Sequence, residues 1–174
     1  MHCMGYACCR TRFLSLISYK LQQDSHRYGI GKFISIKNSG GAAVKHKEGT
    51  MKGIRDTNIF YQYWCPEEQS RALLVIVHGL AEHSGRYMNV VNHFVPEGYA
   101  VYGIDHIGHG KSDGERVYVD RFQDYTTTLT TYIDMIRDWQ PDKPIFLIGH
   151  SMGGLIGAAY LLEHQHFVIF VLFT

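Results

Sequence analysis

The chain has almost no cysteine beyond its extreme N-terminus. Of four cysteines, Cys3, Cys8 and Cys9 crowd the first nine residues and Cys65 stands alone. That excludes a disulfide framework, and the spacing fits no zinc site. A reducing compartment, the cytoplasm, is the default, and no metal or cofactor is expected. Charge of one sign is also scarce. Lys and Arg number 17 against 16 Asp and Glu, for a net charge of +1, without a basic tract. Electrostatics therefore give no support to a nucleic-acid partner. No apolar stretch reaches the roughly 18–20 residues needed to span a bilayer, and Phe167–Phe173 reads instead as a buried strand. Signal-peptide layout is missing as well, because Arg10 and Arg12 follow Cys8-Cys9 instead of preceding an apolar core. Cys8 and Cys9 beside those arginines have the make-up of an acylation site. A leader without order is the plainer reading.

What remains describes a soluble globular protein. At 174 residues, 45% hydrophobic and 19% charged, the chain has room for one domain with a real core. Residues 1–43 show no sustained period and close on Asn38-Ser39-Gly40-Gly41, so they are expected to form a disordered leader ahead of a domain at 44–174. Met51 is an alternative start. Lys45–Lys52 and Asn58–Trp64 read as two strands around a turn near Arg55-Asp56-Thr57. Ala72–Val77 is a continuous apolar run suited to a strand covered on both faces. Helical spacing of Tyr87, Val90, Val91, Phe94 and Val95 predicts a helix over 86–95, with Gly98 as its C-terminal cap. Tyr99–Ile104 reads as a strand. A stripe of Phe122, Tyr125, Leu129, Tyr132, Ile133, Ile136 and Trp139 predicts a helix over 120–139, with Asp120 and Gln123 as a capping box and Pro141 as its stop. Strands are expected at 145–148 and 167–173, with a helix at 152–164 between them. Strands alternating with helices imply α/β architecture with a mostly parallel sheet.

The chemistry sits at Gly149-His150-Ser151-Met152-Gly153, directly after the apolar run Pro144–Ile148. Strand, Gly-x-Ser-x-Gly and helix in that order build a nucleophile elbow, with the serine on a strained turn and small neighbours around it. Two more polar, glycine-rich loops follow strands, at His78–Tyr87 and Asp105–Arg116. In open α/β sheets that edge binds ligands. Ser151 is the candidate nucleophile and needs a histidine base oriented by a carboxylate. The oxyanion hole would combine the N–H of Met152 with one from the His78-Gly79-Leu80 loop, Leu80 being the natural donor. His83 and Arg86 read as loop braces and His150 as structural. His106 and His109 beside Asp105 could mimic a His–Asp pair, but loop ordering is the preferred role.

Together, His78–Tyr87, Asp105–Gly114 and Gly149–Gly154 resemble the monoacylglycerol lipase family of α/β-hydrolases over about residues 45–166. The resemblance implies hydrolysis of a lipid ester, foremost a monoacylglycerol, through an acyl-serine at Ser151. Its close alternatives are a lysophospholipase, or another esterase, thioesterase or serine peptidase on the same scaffold. A lipid substrate implies transient contact with a membrane surface. The resemblance also implies a triad ordered Ser, Asp, His. After Ser151 this chain has no Asp; its one later carboxylate is Glu163 and its later histidines are His164 and His166. Glu163 would stand roughly 18 Å along the following helix, out of reach. The expected fold is therefore the N-terminal portion of an α/β-hydrolase, cut after about the sixth strand. The alternative function is a catalytically silent fragment without the triad Asp and His. Oligomeric state has no signal in the sequence.

Overall fold

A computed structural model describes residues 34–37, 43–164 and 171–173. These residues belong to one compact unit, Gly31–Thr174. Seven strands, β1 (Ile34–Lys37), β2 (Ala43–Lys52), β3 (Asn58–Pro66), β4 (Leu73–Val77), β5 (Ala100–Ile104), β6 (Ile145–Gly149) and β7 (Val171–Phe173), form one sheet. Its order is β1-β2-β3-β5-β4-β6-β7. The β1–β2, β2–β3 and β3–β5 pairs are antiparallel. The β4–β5, β4–β6 and β6–β7 pairs are parallel. The parallel architecture expected from the sequence is thus the half of the sheet that carries the three loops. The other half is antiparallel, and a connection as short as the one between β2 and β3 can only join antiparallel strands.

Every residue of β4 and β5 is buried, as their apolar runs require of strands covered on both faces. Side chains alternate between two cores. On one face Val44, Trp64, Leu74, Ile76 and Val101 pack with Val91 and Val95 at helix α1 (Met88–Phe94) and its cap. On the other face lies α2 (Phe122–Trp139). Tyr132 of α2 packs 5.8 Å from Tyr61, and its hydroxyl donates to Gln62 O and Gly103 O. Trp139 closes the same layer at 5.6 and 5.5 Å from Tyr61 and Tyr63. Helix α3 (Met152–Glu163) lies beside α2.

Three local expectations change. The helix predicted over 86–95 opens as a 3-10 turn, Ser84–Tyr87, before α1 begins. Gly98 does cap it, at φ 86°, where Tyr99 N–H reaches back to Phe94 O at 3.1 Å. The capping box at Asp120 and Gln123 does not form. The N-cap of α2 is Arg121 without a side-chain cap bond, because Arg55 from the β2–β3 turn takes Asp120 at 3.0 Å and Asp124 at 2.8 Å. Finally, β1 lies inside the stretch expected to be a patternless leader and pairs with β2, Ile34 opposite His46. It adds a strand to the six or so expected, and it places the sheet's first residues ahead of the expected boundary at 44. Residues 1–33 and 38–42 lie outside the described residues, as do Phe167–Phe170 of the last predicted strand. Among the described residues no helix is long and apolar enough to cross a membrane.

Leu129 is fully buried on α2, whereas Leu162 on α3 is 77% exposed. Leu129→Ala is expected to lower unfolding free energy by about 3 kcal/mol. Leu162→Ala should change it by less than about 0.5 kcal/mol in the same urea titration.

Candidate active site

Order in the sheet explains why three loops meet. The chain runs from β4 outward to β5 on one side, then returns to β6 on the other. The carboxyl end of β4 is therefore a switch point, where an α/β sheet opens a crevice. The elbow stands at its rim. His150 N–H donates to Val77 O at 3.1 Å, extending the β4–β6 ladder, and Gly153 N–H turns back to His150 O at 2.8 Å. Between them Ser151 adopts φ 50°, ψ −116°, a conformation unfavourable for any residue with a β-carbon. Its side chain is exposed. The turn closes only because its flanks are glycines. A β-carbon on Gly153 would lie 1.9 Å from Val77 O and 2.6 Å from His78 O. One on Gly149 would lie 2.8 Å from Gly153 O and Gly154 Cα.

The two predicted oxyanion donors flank this turn from different segments. Met152 opens α3, where first-turn N–H groups have no helical acceptor. Leu80 sits in the loop after β4, 55% exposed, followed by Ala81 at φ 55°. Among the described residues, neither Leu80 N–H nor Met152 N–H has a hydrogen-bond acceptor. Glu82 ties the two segments together. Its Oε2 accepts from Gly79 N–H at 3.1 Å, the Tyr87 hydroxyl at 2.7 Å and His150 Nδ1 at 3.0 Å. Burial raises the Glu82 carboxyl pKa, but these three donors outweigh it and pull the group down to about 2. Burial and the neighbouring carboxylate hold the Tyr87 hydroxyl well above its ordinary range, so it stays a donor. This His–carboxylate pair was not visible in the sequence, where His150 read only as a structural elbow residue.

The pair that spacing did suggest, Asp105 with His106 or His109, is not made. Asp105 is fully engaged elsewhere. Its Oδ1 accepts from Ser84 N–H at 2.7 Å and Ser84 Oγ–H at 2.6 Å, and its Oδ2 from Lys111 N–H at 2.8 Å. Gly110, at φ 50°, leaves room for that carboxylate, since a β-carbon would sit 2.0 Å from Oδ2. Behind Ser84 the chain of donors continues, with Gln62 Nε2–H reaching Ser84 Oγ at 2.7 Å and His46 Nε2–H reaching Gln62 Oε1 at 3.1 Å.

The upstream histidines form a buried cluster. The His78 ring lies 4.2 Å from that of His106 and 5.3 Å from that of His109. His78 Nε2 accepts from His106 N–H at 2.9 Å, so its proton is on Nδ1, which donates to Gly79 O at 2.8 Å. A ring so tied is neutral and has no lone pair left for a serine. Burial lowers its pKa to about 4, and burial lowers His106 well below the ordinary value too. Both His106 ring nitrogens and His109 Nε2 are buried without a partner. Among the described residues Ser151 Oγ hydrogen-bonds to nothing, and no group of three side chains could hold a metal ion. His164 bonds Tyr160 O and stacks on that ring at 4.3 Å, at the far end of α3. Glu163 stands beside it, and His166 lies outside the described residues.

Comparison with known proteins places the chain in a family. Residues 68–174 match the family model described as serine aminopeptidase, S33. The chain belongs to that family. Several of the relatives it resembles are monoacylglycerol lipases. The monoacylglycerol lipase of Mycolicibacterium smegmatis is 37% identical over 113 residues, 65% of this chain and 40% of that protein. The mouse monoglyceride lipase is 42% identical over 105 residues, 60% and 35% respectively. Among solved structures, a carboxyl esterase from Bacillus coagulans is similar at TM-score 0.66 and 26% identity, over 74% of this chain and 43% of that one. The monoacylglycerol lipase of Paleococcus ferrophilus is similar at TM-score 0.56 and 31% identity, over 67% and 42%. This S33-family chain has part of the α/β-hydrolase fold and spans about two fifths of the length of the monoacylglycerol lipases it matches.

Two outcomes follow for the S33-family elbow and its histidines. Gly153→Ala, a change that in an open helix would stabilise by roughly 0.5–1 kcal/mol, is expected to destabilise by about 3 kcal/mol in urea unfolding, because the methyl meets backbone. Acid is expected to weaken the fold. His78 is neutral when folded, with a pKa of about 4, whereas the unfolded chain binds that proton near pH 6.5. Its contribution is complete above that pH and falls by about 3 kcal/mol as pH drops from 6.5 to 4. The depressed Glu82 carboxyl adds a loss only below its unfolded value of about 4.5. A urea midpoint that stays constant between pH 7.5 and 5 would contradict this.

Proposed function

We propose that this chain carries the nucleophile and oxyanion hole of a serine ester hydrolase acting on a lipid ester, foremost a monoacylglycerol. The observation that carries the reading is Ser151 itself: exposed, held at φ 50° and ψ −116°, and followed by the unengaged N–H of Met152. In this reading Ser151 Oγ adds to the ester carbonyl. The carbonyl oxygen gains negative charge and accepts from Leu80 and Met152 N–H, a contribution of about 3 kcal/mol for each such donor. The C–O bond to glycerol breaks and its oxygen takes up the proton that Ser151 gave to the base, leaving an acyl-serine that water cleaves to fatty acid and free Ser151. The Ser151 proton must pass to a base, which the resemblance assigns to a histidine held by an aspartate. Both would come from outside the described residues. A lipid ester arrives from a membrane surface, so transient surface contact and a cytoplasmic location belong to the same proposal. Names among the relatives support the substrate class, since several are monoglyceride lipases.

A second reading is favoured by the solitary Ser151 Oγ: the chain as given is catalytically silent. Incubation with a fluorophosphonate probe separates the two. Stoichiometric labelling of Ser151, abolished in Ser151→Ala, is expected of an activated serine. Folded, soluble protein that takes up no label would overturn hydrolase activity for this chain.

A further inference from the structure

One carboxylate oxygen joins the two segments that carry the candidate oxyanion donors. Glu82 Oε2 binds Gly79 N–H, which immediately precedes Leu80, and His150 Nδ1, two residues before Met152. Space beside Gly79 is filled by the same contact, since a β-carbon there would lie 2.9 Å from His150 Nδ1 and 3.1 Å from Glu82 Oε2. On its other side Leu80 is followed by Ala81 at φ 55°. The direction of a peptide N–H follows the dihedrals of the residues on either side. The Leu80 N–H lies in the Gly79–Leu80 peptide, so anchoring Gly79 from its own N–H side fixes the residue from which that peptide is aimed. Tyr87 holds the carboxylate from behind at 2.7 Å.

We propose that Glu82 is a positioning residue, fixing the Leu80 and Met152 N–H groups at one mutual separation by binding Gly79 and His150 through a single oxygen. The inference rests on the reading of Ser151 as nucleophile. Glu82 touches no reacting atom, and its sign distinguishes position from charge. A carboxylate acting only through its field would oppose an oxyanion, so its removal would speed the reaction. A carboxylate acting through position would slow it on removal.

The test uses the full chain, with two readouts: the rate of fluorophosphonate labelling at Ser151 and hydrogen exchange at the Gly79 amide. Glu82→Ala is expected to slow labelling by about 100-fold, the effect of losing one oxyanion donor, and to accelerate Gly79 exchange by about tenfold or more. Glu82→Asp keeps the charge but is a methylene short, and should behave as Glu82→Ala does. Glu82→Gln keeps an oxygen acceptor at the same reach and should recover most of the rate. Tyr87→Phe, which leaves the carboxylate in place, should slow labelling only a few-fold and serves if the Glu82 variants do not fold; a wild-type rate there overturns the proposal. Labelling of Glu82→Ala or Glu82→Asp at the wild-type rate or faster also overturns it. If the wild-type chain takes no label, the nucleophile reading fails. The clasp then stands or falls on exchange: equal rates at Gly79 in wild type and Glu82→Ala would overturn it.

Discussion

The carboxyl edge of the sheet depends on how closely α3 approaches the end of β4. Gly153 meets the carbonyls of Val77 and His78 with room for a hydrogen and nothing larger. β4 is also where the chain changes direction across the sheet, with β5 on one side and β6 on the other. Pressing a helix start onto that strand end brings the elbow, the 78–87 loop and the Asp105 loop to one crevice. The strain at Ser151 follows directly. His150 must still pair with Val77, Gly153 must already be helical, and only two residues are available for the reversal.

Close approach of backbones leaves polar groups with little water, and the crevice handles them unevenly. Asp105 is satisfied by amide and hydroxyl donors and so stays a structural anchor for its own loop. Glu82 gathers three donors from two loops and stays ionised across ordinary pH. The three imidazoles beneath them meet one another with no free carboxylate, and His78 is confined to one neutral tautomer. The same burial that orders the loops removes these histidines from service as bases. Among the described residues, an exposed serine whose hydroxyl meets no base is the consequence.

Much of the scaffold was legible in the sequence. The five buried residues of β4, the apolar stripe of α2, the glycine at 98 and the strand–elbow–helix order each express a period or a turn preference that acts over a few residues. β1 was not legible, because a four-residue strand has too little pattern of its own and exists through its pairing with β2. The capping box at Asp120 failed for a related reason. Its carboxylate could serve either a nearby amide or a distant guanidinium, and folding brings Arg55 within 3.0 Å.

Local chemistry thus established which segments become strands and helices, and that Ser151 stands on a turn between them with Met152 opening a helix. Hydrophobic period, glycine placement and chain order are sufficient for that, since each acts within reach of its own neighbours. Partner choice among the polar side chains was a different matter. Spacing along the chain set Asp105 beside His106 and His109, yet the fold gave Asp105 to the Ser84 amide and hydroxyl and paired Glu82 with His150. Those contacts join groups remote in sequence, and they exist only because two loops leave adjacent strand ends at the point where the sheet reverses.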